Sequence, residues 1–359
     1  MSAAAEIGAA VAAASRVRPD GDGAYALPWY LALGEPGSGR STVLRSLALS
    51  WPLGEGPHRL GAPQQMASWW VSSEAVICEP EAPLVGPQAN REALRDFAAR
   101  LRDARPREAV DGILLFIAVT DIADADDRGL EVYAHRLRGY LSAVALGVRG
   151  EVPVYLVVSR YDTMWGFAEV FQWTPERQRE EPWGFLLAGD TTARMAAGRL
   201  AEAIDGLGAR LESFCFAKLS SEDLPEVRAR AFQHIAEARR FIEKLKVVVG
   251  TLATETAFER APWIRALALG SALPGAGDRP RAGVARFANM GLTPTQPPHG
   301  VRPGGLPLHG YLRDVVLPER ELVPLRSRWR DHKTVVVPFV LGLVLWLAVL
   351  VTALVLALE

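Results

Sequence analysis

The run Gly34-Glu35-Pro36-Gly37-Ser38-Gly39-Arg40-Ser41-Thr42 has the spacing that carries the most chemistry in this chain. It fits G-x-x-x-x-G-K-[ST], a phosphate loop, at every fixed position except the lysine, which is Arg40. In such a loop Gly34, Gly37 and Gly39 let backbone N–H groups cradle phosphate oxygens, and the following helix aims its N-terminus at the negative charge. Ser41 would ligate Mg²⁺, and a lysine would reach the terminal phosphates. That position needs a compact ammonium, because a branched guanidinium fills the space differently. Of 40 basic residues only Lys218, Lys244, Lys246 and Lys333 are lysine. Under that bias arginine arises wherever lysine is not required, so Arg40 signals weakened demand for a working loop.

Other chemistry is thin. His58, His135, His234, His299, His309 and His332 have no metal-ligand spacing and read as structural or surface residues. Asp121, Asp124, Asp126 and Asp127 lack an EF-hand pattern and read as the acidic start of a helix. Cys78 and Cys215 read as core residues, and two cysteines cannot build a disulfide framework or a Cys-rich zinc site. No Ser/His/Asp arrangement emerges, so no catalytic residue is assigned. With 40 basic against 41 acidic residues the chain is no bulk-charge binder of nucleic acid. Its 49% apolar content excludes a mainly disordered protein.

A phosphate loop needs a strand before it and a helix after it. Residues 27–34 read as a buried strand and 41–49 as the helix. Further buried strands are predicted at 75–78, 112–120 and 152–159, with helices at 91–102 and 128–145. Strands without polar alternation, separated by helices, predict a mainly parallel α/β sheet covered on both faces, here over 27–190. From residue 191 the period changes to 3.6, and 193–216 and 225–249 predict two long helices in a helical subdomain spanning 191–273. Residues 274–310 are a Pro/Gly-rich linker and 311–334 a juxtamembrane segment. Residues 335–358 carry no charge and are long enough to cross a bilayer core of about 30 Å. Arg326, Arg328, Arg330 and Lys333 precede them, which predicts a single-pass inner-membrane helix with the bulk of the chain cytoplasmic. Residues 1–26 include Glu6 with no basic residue before it, and read as a mobile or weakly helical lead-in rather than a secretory signal.

Ordered, aromatic-rich motifs resemble the IcmF/TssM family. They are Pro28-Trp29-Tyr30, Trp51-Pro52-Leu53, Trp69-Trp70, Asp111-Gly112-Ile113-Leu114 and Pro153-Val154-Tyr155-Leu156-Val157-Val158. Trp183-Gly184-Phe185, Ala261-Pro262-Trp263-Ile264-Arg265 and Leu312-Arg313-Asp314-Val315-Val316-Leu317-Pro318-Glu319 continue the likeness in order. The resemblance implies a GTPase-like phosphate-loop domain in an inner-membrane component of the type VI secretion system. It implies a DotU-like inner-membrane subunit, TssL, and baseplate components as partners, with self-association and without nucleic acid.

Departures from the family pattern fall on the nucleotide chemistry. The loop lysine is Arg40, and the Asp-Thr-Ala-Gly element serving the metal and γ-phosphate is Glu79-Pro80-Glu81-Ala82. The guanine-reading Thr-Lys-x-Asp becomes Ser159-Arg160-Tyr161-Asp162, and no switch threonine is evident in 61–68. The family's pair of preceding membrane helices and its long periplasmic region are also missing from this sequence. The expectation is a structural or docking subunit with a degenerate site for GTP or ATP and Mg²⁺. Gly34, Gly37, Gly39, Arg40, Ser41, Thr42 and Asp162 would face the nucleotide, with Ser41 and Glu79 on the metal. The rival expectation is an active GTP- or ATP-hydrolysing switch in which Arg40 stands in for lysine.

Overall fold

The computed structural model describes residues 3–19, 23–54, 65–171, 181–256, 259–271 and 306–322. Seven strands form one sheet: β1 (Trp29–Leu33), β2 (Ala67–Val71), β3 (Val76–Pro80), β4 (Gly112–Ala118), β5 (Pro153–Ser159), β6 (Trp183–Leu186) and β7 (Trp263–Leu269). Their order is β2-β3-β1-β4-β5-β7-β6. The five inner strands are parallel, while β2 and β6 close the edges antiparallel. Strands β1, β4 and β5 are buried along their whole length, as continuous apolar runs under helices require.

The helices are α1 (Ala3–Val17), α2 (Arg40–Arg45), α3 (Arg91–Ala104), α4 (Val119–Ile122), α5 (Asp127–Val148), α6 (Phe167–Phe171), α7 (Ala193–Ser221) and α8 (Pro225–Ala253). Successive strand residues point to opposite faces. Leu31 and Leu33 therefore join the core under α1, α3, α5, α7 and α8. Tyr30 and Ala32 join the other face, covered by α2, Trp51 and residues 308–317. Helices α7 and α8 have 29 residues each, about 43 Å at the helical rise. That is roughly twice the length of a seven-residue strand. Their shared turn leaves Phe216, Leu224 and Phe232 exposed.

A strap formed by residues 306–322 crosses the second face of the sheet. It begins beside the carboxyl end of β7, where Leu306 N donates to Ser271 Oγ (2.7 Å). Midway, Tyr311 Oη donates to Leu156 O (3.3 Å). It finishes at the amino ends of β1 and β7. There Tyr30 Oη donates to Val316 O (3.2 Å), and Arg265 Nε meets Glu319 Oε2 at 3.1 Å.

Several expectations need correction. The stretch read as a mobile or weakly helical lead-in contains α1, whose Ile7, Ala10, Ala13 and Ala14 are fully buried against the core. Its Glu6 accepts from Met66 N (3.1 Å), a contact across 60 residues that fixes the helix in place. The helix read at 41–49 stops at Arg45, and Ala48 takes φ 49°, a conformation no right-handed helix passes through. Strands β2, β6 and β7 were not anticipated. Because β7 lies between β5 and β6, the division expected near residue 190 runs through a single sheet, and α8 packs on α5 in the same core. Among the described residues no helix is long and apolar enough to cross a membrane. The expected span at 335–358 and most of the linker at 274–310 lie outside the described residues.

Candidate functional site

The loop after β1 folds as its glycines predict. Gly34, Gly37 and Gly39 have φ of 156°, 82° and 81°, and the last two lie in the left-handed region that favours glycine. A side chain at Gly34 is also excluded by space, since its Cβ would stand 2.9 Å from Phe116 Cβ. Ser159 Oγ at the end of β5 donates to Ser38 O (2.6 Å), tying the loop to a second strand. Ser38 Oγ is buried with no hydrogen-bond partner. Glu35 Oε1, within the loop, accepts from Tyr140 Oη (2.9 Å) and faces Arg136 Nε at 3.1 Å. Nothing in the sequence pattern marked Tyr140 or Arg136, because α5 brings them to the loop from about 100 residues away.

Arg40 does not point into this loop. Its side chain is buried, at 8% exposure, and turns down between the strands. Nη1 donates to Ala32 O (3.2 Å) in β1 and Pro80 O (3.0 Å) in β3, and Nε lies 3.6 Å from Glu79 Oε1. Burial pulls the Arg40 guanidinium pKa below its usual value, against the opposing charge of Glu79. Ser41 Oγ donates to Glu79 Oε1 (2.8 Å) and Trp70 Nε1 donates to Glu79 Oε2 (3.0 Å). The serine and carboxylate expected on a metal are therefore adjacent. The carboxylate, however, is engaged by two hydrogen-bond donors and a guanidinium. Trp70 is the partner that the sequence reading missed.

The remaining expected residues divide. Asp162 lies in a short 3₁₀ turn, Tyr161–Thr163, just past the carboxyl end of β5. Arg160 before it adopts φ 59°, and its Nε would stand 3.4 Å from a Cβ placed on Gly39. The Ser159–Asp162 segment thus does come to the loop, at the carboxyl ends of parallel strands where α/β sheets bind ligands. Thr42 is exposed on α2. Asp121 stands above its usual carboxyl pKa through partial desolvation, with Tyr133 and Arg160 opposing the shift. Asp126 accepts from Gly129 N (2.8 Å) and caps α5, as the acidic run predicted.

A nucleotide with Mg²⁺ fits this site only in part. The glycines leave the loop backbone uncovered by side chains of its own, and the Ser38 hydroxyl beside it is buried without a partner. The cation that should meet the terminal phosphates is spent on two carbonyls and a carboxylate. Among the described residues no group of three His, Cys, Asp or Glu side chains could hold a metal. The other buried reactive groups are structural. Cys78 and Cys215 are buried, with thiols pushed up by burial, and His234 is pushed down to about 4 inside an aromatic cluster.

The sequence pattern of the IcmF-related N-terminal domain matches residues 87–344, well over half of the chain. The chain belongs to the IcmF-related family. It is also 30% identical over 187 residues to the type VI secretion system component TssM1 of Pseudomonas aeruginosa. That match covers 49% of this chain and 17% of the length of that protein. The domain pattern begins after the glycine loop and Glu79, and includes Ser159–Asp162, the strap and the first ten residues of the apolar stretch at 335–358.

Proposed function

We propose that this IcmF-related chain is a membrane-anchored subunit of a type VI secretion apparatus, working as a structural or docking component with a degenerate phosphate loop. The inward turn of Arg40 carries the nucleotide half of this reading. Phosphoryl transfer depends on interactions that strengthen as charge develops on the phosphate oxygens. A guanidinium held by Ala32 O, Pro80 O and Glu79 makes no such interaction. Residues 335–358 supply the anchor, with Arg326, Arg328, Arg330 and Lys333 on its cytoplasmic side. The partners of this reading are a TssL-like inner-membrane subunit and, toward the cytoplasm, baseplate components. The exposed Phe216, Leu224 and Phe232 on the α7–α8 turn offer them an apolar surface.

The test is nucleotide binding and phosphate release by the purified protein with GTP and with ATP. Weak binding and no turnover above background are expected. Arg40→Lys should improve binding more than hydrolysis, since a freed ammonium reaches phosphate but no switch threonine orders a metal. Asp162→Asn should matter only if GTP is the ligand bound. A wild-type turnover of about 0.01 s⁻¹ or more, on the order of a GTPase with its arginine in cis and lost in Ser41→Ala, overturns the degenerate-site reading in favour of an active switch.

A further inference from the structure

We propose that the amino-terminal edge of the parallel sheet lies on the bilayer, and that the apolar cavity opening there takes acyl chains of anionic phospholipids. The proposal rests on the reading of residues 335–358 as the anchor, and it adds which side of the molecule the membrane meets.

The first support is where the chain leaves the fold. The strap crosses the sheet from the carboxyl end of β7 and is pinned at the amino edge by Tyr30 on Val316 O and by Arg265 on Glu319. The described strap therefore ends, at Leu322, on the edge opposite the glycine loop. Residues 323–334 separate that point from the apolar run, and twelve residues span at most about 40 Å. The anchor therefore begins within about 40 Å of the amino edge. This connector carries Arg326, Arg328, Arg330 and Lys333 against the single acid Asp331, a charge pattern suited to an anionic lipid surface.

The second support is what that edge presents. A cavity of about 660 Å³ opens between the end of α5 and the first residues of β4, β5 and β7. Ile113, Leu141, Val152, Val154 and Trp263 line it, and its volume is within the range of sites for small apolar ligands. Leu146 stands on its rim at 67% exposure and adds apolar surface at the mouth of the cavity. Two acids share the rim, and both face arginines: Glu259 with Arg138 Nε at 2.8 Å, and Glu151 with Arg260 at 3.7 Å. Arg149, at the end of α5, adds an exposed cation to the same rim. An apolar floor below a rim with more arginine than carboxylate matches an acyl chain below an anionic headgroup.

The experiment uses the full chain reconstituted in phosphatidylethanolamine–phosphatidylglycerol vesicles. A fluorophore is placed on Leu146→Cys and, as the control, on Phe216→Cys at the α7–α8 turn. Both sites are exposed, while native Cys78 and Cys215 are buried and unreactive to the label. Lipids with a nitroxide on the acyl chain should quench the Leu146 probe several times more than the Phe216 probe. Replacing phosphatidylglycerol by phosphatidylcholine should weaken that quenching. Equal, weak quenching at both sites overturns the proposal, as does crosslinking from the Leu146 site to a second copy or another subunit in place of lipid. Alkaline extraction separates the two readings. A chain that stays in the membrane with an unquenched Leu146 probe keeps its anchor and loses this surface. A chain that is extracted, yet quenched at Leu146 before extraction, keeps the surface and loses the anchor.

Discussion

The two ends of the sheet hold the same kind of bond and use it differently. At the carboxyl edge Arg40 pairs with Glu79, and at the amino edge Arg265 pairs with Glu319. Both arginines are buried and both also donate to backbone carbonyls, Ala32 and Pro80 for Arg40, Leu187 and Ala188 for Arg265. The Glu79 carboxylate has two other donors, Ser41 and Trp70. The Arg265 guanidinium is at 0% exposure and joins β7, the segment after β6 and the strap into one unit. Only the first pair sits where catalytic spacing drew attention. The comparison shows that motif position does not decide the role of a buried guanidinium; its bonds do.

Removing each arginine should separate the two ends most strongly. Arg265→Ala leaves a mostly buried carboxylate without its guanidinium and uncovers the carbonyls of Leu187 and Ala188, a change that costs about 3–5 kcal/mol for broken buried pairs. Arg40→Ala should cost less, about 1–3 kcal/mol, because Glu79 keeps Ser41 and Trp70 as donors. Urea unfolding of both variants measures the difference. Limited proteolysis should cut within 306–322 in Arg265→Ala and not in Arg40→Ala. Equal losses would show that the strap pair is no more than a second copy of the loop pair.

These two arginines also show what the sequence could carry. The strands β1, β4 and β5 were legible because each is an unbroken apolar run. Strand β7 was not, since Arg265 in its middle argues against a buried strand until Glu319, 54 residues later, is known to meet it. Likewise α1 was obscured by Glu6, a charge that becomes acceptable in the core only through Met66 N. The glycine spacing predicted the shape of the loop, which is local backbone conformation. The direction of Arg40 was not predictable, because its acceptors lie on β1 and β3 and meet only when the sheet forms.

The next contrast between the ends is in pH response. Near the carboxyl edge His234 is fully buried, with Nδ1 at 2.7 Å from Trp165 O, and burial pushes it down to about 4. Its folded pKa is below the unfolded value near 6.5, so its contribution is present above 6.5 and is lost as pH falls toward 4, about 3 kcal/mol in all. Near the amino edge Glu108 is pushed up to about 7, mainly by burial and then by Asp111. Its raised pKa works in the opposite sense, since stability is lost as pH rises from about 4.5 to 7. Glu108 is only half-buried and solvent screens it, so the His234 effect should dominate and the protein should weaken on acidification. His234→Asn, which retains a donor toward Trp165 O, should flatten the acid side of a stability–pH profile. Glu108→Gln should steepen it. A profile unchanged by His234→Asn would remove the carboxyl edge from the pH response.

The smallest contrast lies in two arginines with the same strained backbone, one at each edge. Arg149 ends α5 at φ 59°, ψ 41°, and Arg160 follows β5 at φ 59°, ψ 30°. A left-handed conformation costs a non-glycine residue about 1–2 kcal/mol, and glycine returns part of that as greater freedom in the unfolded chain. Arg149→Gly should therefore stabilise the fold by up to about 1 kcal/mol, since its backbone N–H still reaches Ala145 O. Arg160→Gly relieves the same strain but removes a side chain that lies over Gly39 and opposes the raised carboxyl of Asp121. Its gain should be smaller, and its absence should loosen the glycine loop. Paired urea midpoints, with amide exchange at Gly37 and Gly39, resolve the two effects. If Arg160→Gly gains as much as Arg149→Gly and exchange is unchanged, Arg160 does not brace the loop.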